Sequence, residues 1–531
     1  MTERASFYRK IAYLVAIAVL AILMFWLSTP ATATKPGGQL SPGGQLAQLR
    51  EQYRLGQSNL GEVDPASETM RFLTLGLRGV AVTVLWESAN KYKMKEDWTN
   101  LTATLEQLAK LQPNFITFWK YQAWNLSYNV SIEFDDYRDR YCYIRRGIEF
   151  LKEGETYNRD HPQLLSDLGW FIGHKIGRAD EHVLYRRLFK QDDDFHPPDR
   201  TPDERDNWLV SKGWYVKAIE AVDVKGKSLG NKSPRDFYSD PAKAQINYAE
   251  AIEEEGFFDK ARRAWVLAGQ EWRDFGRRPI KHTFGDTVLL GDEPKLEDKV
   301  DELRAQLDAL APATRAQLVT ERRQSLTTDE QKLLDTPSAE VSQGQAEQRY
   351  VLEAKTTVID RDVAERISRD QPEKAKTVVA VMRQLDDTER VLRYTRSYKD
   401  TSNFDFWQLR CDYEQTEDAV AARETLFRAD NAAQSADLIL AKQLYKEGFQ
   451  KWRLVVDEFP ELSDEDVVFG DHILQSTKKY REVLDQLNET LDESYPFWDA
   501  LEKFDQDKEF AAEIAKHRQN RAADAPAGGN Q

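Results

Sequence analysis

The stretch Phe118-Trp-Lys-Tyr-Gln-Ala-Trp-Asn-Leu-Ser-Tyr-Asn-Val130 decides the reading of this chain. Within it Trp119, Gln122, Ala123 and Leu126 recur at helical spacing, with a small residue set among larger ones. The same four slots return as Leu85, Ser88, Ala89 and Tyr92, then as Leu165, Leu168, Gly169 and Ile172. They return again, with a polar first slot, as Gln245, Tyr248, Ala249 and Ile252. A small residue lets a neighbouring helix approach closely, and the flanking side chains fill the space around it. Repeated on successive helices, the pattern builds one long core from stacked pairs, as helical-repeat proteins do. The expected fold class is all-α, an irregular helical-repeat array followed by a second lobe of long helices.

Outward from that stretch, apolar residues keep a helical period over 67–92 and again over 96–111, where Trp98, Leu101, Leu105 and Leu108 share a face and Pro113 ends the run. The next pair is 118–130 with 141–157, and a third opens at Gln163 and continues through 182–189. Ala123-Trp124 and Gly169-Trp170 share a small-Trp dipeptide. In the fourth pair Ala249, Ile252, Gly256, Ala261, Trp265 and Ala268 are spaced like a 34-residue tetratricopeptide unit, with Gly256 at the turn. The run Thr287-Val288-Leu289-Leu290 predicts a small hairpin, the one plausible strand. Leu296, Val300, Leu303, Leu307 and Leu310 form a heptad seam too short for a free coiled coil, which predicts a helical hairpin within the chain. Residues 313–345 read as a polar excursion. Helices are expected at 346–369, 373–398, 404–427, 432–458, 464–491 and 496–507.

At the start, Arg4, Arg9 and Lys10 precede an unbroken apolar run over residues 11–27 that ends in Met24-Phe25-Trp26. Its length exceeds a signal-peptide core and meets the lower limit for a spanning helix, so an uncleaved anchor is the preferred reading. Ala31-Thr32-Ala33 keeps a cleaved signal open as the alternative. The basic flank puts the N-terminus in the cytoplasm and the body outside it, in the periplasm of a bacterium. The doublet Pro36-Gly-Gly-Gln-Leu40, Pro42-Gly-Gly-Gln-Leu46 reads as a flexible spacer. The division expected is an anchor at 1–33, a linker at 34–62, a repeat domain at 63–280, a hairpin region at 281–400, a helical lobe at 401–510 and a disordered tail at 511–531.

The chain has 531 residues and a net charge of −16, which disfavours nucleic acid as a partner because a phosphate backbone demands clustered Lys and Arg. Thirteen Trp residues provide enough large apolar surface for most of the body to fold. Cys142 and Cys411 stand far apart without zinc-ligand spacing. Residues 221–228 fit a loose P-loop pattern, but a helix precedes them where a buried strand is required. Asp192-Asp193-Asp194 with His196, and Glu133, Asp135, Asp136 and Asp139, are acidic clusters without EF-hand spacing, read as solvated loops with local salt bridges to Arg138, Arg140 or Arg200. The seven histidines form no His-Glu-x-x-His unit. No catalytic, cofactor-binding or metal-ligating set emerges, and the chain reads as a non-enzyme with no cofactor.

The text LGLRGVAVTVLWESANKY, DWTNLTATLEQLAKLQPNF, FWKYQAWNLSYNVSIEFDDYRDRYCYIRRGIEFL and GWFIGHKIGRADEH resembles a family of uncharacterised, membrane-anchored planctomycete proteins. The resemblance runs to about Pro279 and brings no catalytic residues with it. The wider resemblance is to tetratricopeptide proteins, which implies that peptides or proteins are bound in a groove made by the first helices of the pairs. Trp119, Gln122, Asn125, Tyr128 and Trp170 would line or support that groove, with Trp124 and Trp170 equally readable as core. The function expected is that of a protein-interaction scaffold held at the membrane through residues 11–27. The alternatives are an envelope enzyme or a metal- or solute-binding protein using the acidic loops around Asp135 and Asp193, or a purely structural spacer.

Overall fold

A computed structural model describes residues 78–282, 285–337, 341–464 and 467–524, together with isolated positions before residue 50. The apolar run 11–27 and the 34–62 linker therefore lie outside the described residues, apart from those isolated positions. Among the described residues no helix is long and apolar enough to cross a membrane.

Among the described residues the chain is all-helical apart from one two-stranded hairpin, and it divides into two compact units, Met1–Lys232 and Ser233–Gln531. In the first unit the helices are α1 (Arg78–Met94), α2 (Trp98–Leu111), α3 (Ile116–Trp124), α4 (Tyr137–Tyr157), α5 (Pro162–Trp170), α6 (His182–Lys190) and α7 (Asn207–Asp223). The helix expected over 118–130 is α-helical only to Trp124, and Asn125–Val130 continues it as a π-helix. A second π-helix, Phe171–Lys175, continues α5 after Trp170. Both follow a small-Trp dipeptide.

Start signals sit where the sequence puts them. Asp97 accepts from the amide of Asn100, Asp136 from that of Arg138 and Asp206 from that of Trp208, each satisfying an orphan donor at a helix start. Pro162 occupies the first turn of α5, where its missing N–H costs nothing. The core gathers Trp119, Leu126, Ile144, Ile148, Leu151, Leu164, Leu168, Ile172 and Phe189. Its close contacts depend on glycine. A Cβ on Gly154 would lie 2.7 Å from the Trp119 ring, one on Gly147 would lie 2.7 Å from the Ala123 carbonyl, and one on Gly169 would lie 2.8 Å from the Tyr215 ring.

The second unit holds α8 (Pro234–Glu254) and α9 (Phe258–Gly276), joined at Gly256, whose φ of +86° is one that L side chains rarely adopt. The hairpin pairs β1 (Ile280–Lys281) with β2 (Thr287–Val288), and Ile280 faces Val288 in register. Next come α10 (Glu293–Leu310), α11 (Thr314–Gln324), α12 (Thr328–Asp335), α13 (Gln343–Thr356), α14 (Asp360–Asp370) and α15 (Ala375–Ser402). The heptad seam of α10 packs on α15, with Val300 and Leu303 clustering with Leu385 and Leu392. The polar segment 313–345 is not an excursion: α11, α12 and the start of α13 are built on it, α12 with a Thr327–Glu330 capping box.

Then follow α16 (Phe404–Glu414), α17 (Glu417–Gln434), α18 (Leu438–Glu458), α19 (Glu461–Asp464), α20 (Val467–Gln486), α21 (Trp498–Phe504) and α22 (Ala511–Asp524). The helix expected over 404–427 breaks because Thr416 caps α17, its hydroxyl accepting from the Ala419 amide. Residues 511–524, read as the start of a disordered tail, instead form α22, which leads out of fully buried Phe510 and buries His517 against Trp498.

The glycine contacts give a prediction with two signs. Gly169→Ala should overpack the α5–α7 crossing and cost about 1–3 kcal/mol. Gly213→Ala, on the exposed face of α7 with nothing within 4 Å of the added methyl, should stabilise by about 0.5–1 kcal/mol. Denaturant unfolding of the two variants against the unaltered chain measures both.

Candidate functional site

The two small-Trp dipeptides create the most distinctive surface of the first unit. Trp124 and Trp170 are 42% and 40% exposed, and half-buried Tyr128 lies between them. The Trp124 and Tyr128 rings stack at 6.2 Å and 17°, and the Tyr128 and Trp170 rings at 6.0 Å and 23°. On one side the row continues through Tyr121 to Trp86, itself 40% exposed, with ring centroids 6.4 and 6.3 Å apart. On the other side Trp170 stacks on exposed His174 at 5.4 Å. Rings from α1, from α3 with its π continuation and from α5 with its π continuation thus form one continuous aromatic ribbon.

The π-helices shape this ribbon. A π turn carries one more residue than an α turn and leaves its carbonyls poorly matched to the ladder. Here side chains take up the slack. Ser211 donates to the Gly169 carbonyl at 2.6 Å, the Asn207 amide donates to the Gly173 carbonyl at 3.2 Å, and Ser131 donates to the Ser127 carbonyl at 2.6 Å. Lys175, the last residue of the second π-helix, holds its ammonium 4.3 Å from the centre of the Tyr128 ring. Burial lowers the Lys175 pKa and raises the Tyr128 phenol to about 12.

The five residues expected at a groove divide cleanly. Tyr128 and Trp170 are in the ribbon. Trp119, Gln122 and Asn125 are wholly buried and cannot touch a partner. Trp119 donates its indole N–H to the Pro113 carbonyl at 2.9 Å and packs on Phe150 and Tyr157. Asn125 accepts from Asn129 at 3.0 Å. The physical reason is the helix face: the signature positions 119, 122 and 126 point at α4, and the exposed rings are one residue out of step with them. Trp124 belongs to the ribbon, and the small-Trp dipeptide was the signal for it.

The acidic loops serve the fold. Asp192 accepts from the Tyr141 hydroxyl at 2.8 Å and pairs with Arg145, Asp193 pairs with Arg205 at 2.6 Å, and Asp136 caps α4. Of the arginines expected to pair with the two clusters, Arg138 pairs with Asp136 at 3.8 Å, while Asp192 and Asp193 are held by Arg145 and Arg205. Among the described residues no group of three His, Cys, Asp or Glu side chains is gathered to hold a metal ion. The segment 221–228 follows helix α7, without the strand a phosphate loop requires.

A second cluster, invisible in the sequence, lies inside the second unit. Arg423 on α17 pairs with Glu414 on α16 and with Glu253 on α8 at 3.1 Å, and donates to His472 Nε2 on α20 at 2.7 Å. The Trp265 indole donates to Glu253 at 3.1 Å, and Arg410 pairs with Glu250 at 2.8 Å. Burial, with Glu414 nearby, pushes the Glu253 carboxyl up to about 7 against the pull of Arg423. Burial and the two guanidinium groups hold His472 well below its usual range, so it is the neutral acceptor its geometry requires. Perturbed acids often mark active sites. Here the Arg423 donors are taken by three side chains of the protein itself, and the arrangement joins helices.

Two measurements test these assignments. Trp119→Ala should cost about 3–5 kcal/mol, whereas Trp124→Ala should stay within about 1 kcal/mol of the unaltered chain, both read from denaturant unfolding. The second concerns Glu253, which the fold favours in its protonated form. Its contribution is full below the ordinary carboxylate range and is lost as pH rises through about 7. The melting temperature of the unaltered chain minus that of Glu253→Gln should therefore fall between pH 5 and pH 8. A flat difference would show an unperturbed carboxyl.

No protein-family model and no curated protein matches the chain, so its functional reading rests on its own residues.

Proposed function

We propose that this chain is a membrane-anchored, extracytoplasmic scaffold whose tetratricopeptide-like helix pairs recruit protein partners through the aromatic ribbon. The observation that carries the proposal is the exposure of Trp86, Trp124 and Trp170 in one continuous row. Large aromatic side chains left in water are costly unless something covers them, and Trp and Tyr are the residues that anchor protein interfaces. Each ring is also braced by its neighbours, so little side-chain entropy is lost on binding. The membrane part of the proposal is supported by the basic flank and the apolar run 11–27 in the sequence. A scaffold needs no catalytic constellation, and the polar clusters described above are engaged in structure.

In-cell crosslinking of the full chain, followed by solubilisation, affinity purification and mass spectrometry, tests the reading. The unaltered chain should capture a reproducible set of proteins. Trp124→Ala/Trp170→Ala should lose them at least tenfold with an unchanged melting temperature. Retention of the whole set by the double variant would remove the ribbon as the docking face. Crosslinks only between copies of the chain would favour a structural spacer.

A further inference from the structure

The cations along the ribbon point to the chemistry of its occupant. Lys175 lies on the Tyr128 ring, and Lys93 lies 5.8 Å from the Tyr121 ring while donating to its hydroxyl at 3.3 Å. Neither ammonium is ion-paired among the described residues. Of the nearby carboxylates, Glu181 is paired with Arg140 and Glu87 with Lys91 at 2.9 Å, while Asp180 and Glu181 act on Lys175 through space without forming an ion pair. Lys120, beside Tyr121, is held by Asp167 at 2.9 Å and is not available in the same way. The ribbon thus carries two ammonium groups, Lys93 and Lys175, seated on its rings, on a chain whose net charge is −16.

Resting on the scaffold reading above, we propose that the ribbon binds an extended, acidic polypeptide segment. Its carboxylates meet Lys93 and Lys175, and its apolar or aromatic side chains lie on Trp86, Trp124 and Trp170. A cation already seated on a ring face keeps donors free for a carboxylate, and the pair gains strength where the rings exclude water. The acidic remainder of the chain repels such a ligand, so the local reversal of sign guides it to the ribbon and supplies selectivity. The six rings from Trp86 to His174 succeed one another at 5.4 to 6.4 Å, a path that an extended peptide of roughly ten residues follows at about 3.3 Å per residue.

The test is selection of phage-displayed random dodecapeptides on the purified full-length chain, with Trp124→Ala/Trp170→Ala as counter-selection. The recovered sequences should be enriched in Asp and Glu beside aromatic, Leu or Pro residues. A fluorescent synthetic copy should lose at least about tenfold in affinity to Lys93→Glu/Lys175→Glu, and weaken when salt is raised to about 0.5 M. Lys93→Gln/Lys175→Gln, with a melting temperature matched to the unaltered chain, should show a smaller loss and separates charge from misfolding. Recovered peptides that are neutral or basic, or that bind the charge-reversed variant equally well, would overturn the acidic preference while leaving peptide docking standing. If no sequence survives the counter-selection, the docking reading itself fails, and with it this inference.

Discussion

Trp119 rests against the bare α-carbon of Gly154, and that contact sets the geometry of the first unit. An added methyl there would meet the indole, and the same holds at Gly147 against the Ala123 carbonyl and at Gly169 against Tyr215. Helices that approach this closely must turn their large side chains into the gaps beside the crossing, which is where Leu126, Ile148 and Leu168 are buried. The inner face is then full. Rings that cannot enter it, Trp124 and Trp170 among them, are left on the outer face, and the ribbon is the result. Binding surface and core are two sides of one packing constraint.

The second unit adds a buried ionic junction to its apolar core. Its helices α8, α16, α17 and α20 meet around Arg423, Glu253, Glu414 and His472, as the first unit buries Arg186 against Asp206 on a smaller scale. A buried charge is tolerated only when paired and hydrogen-bonded, so each member makes the others necessary. Such a network adds little net stability compared with a well-packed apolar core. It does penalise any arrangement of the helices that leaves one of its charges alone.

Helix positions and the small-residue crossings were legible in the sequence because each has a local cause: a period of 3.6, with a small residue set among larger ones. The hairpin around Thr287 was legible as a short apolar run between two Gly-Asp pairs. The polar helices over 314–335 were not, because their few apolar residues carry no periodic signal and their ion pairs, such as Arg315 with Asp360 and Glu321 with Arg366, join residues far apart in sequence. The ionic cluster was hidden likewise, since Glu and Arg on a helix look the same whether they face water or one another. At the expected groove Trp119, Gln122 and Asn125 lie on the buried face, and the exposed rings stand beside it. Nothing local in the sequence marks the extra residue in each π turn.

That extra residue has a consequence for the lineage of the fold. In an α-helix each residue advances the azimuth by about 100°, so one surplus residue offsets everything beyond it by that angle relative to an unbroken helix. The buried stripe Trp119, Ala123, Leu126 and Val130 runs into the π turn, and Tyr128 lies within that turn, between the exposed rings Trp124 and Trp170. A one-residue deletion within 125–130 would be neither a local scar nor a shortened loop. Placed before Tyr128, it would turn that ring away from Trp124 and Trp170 while keeping every amino acid outside the deletion unchanged.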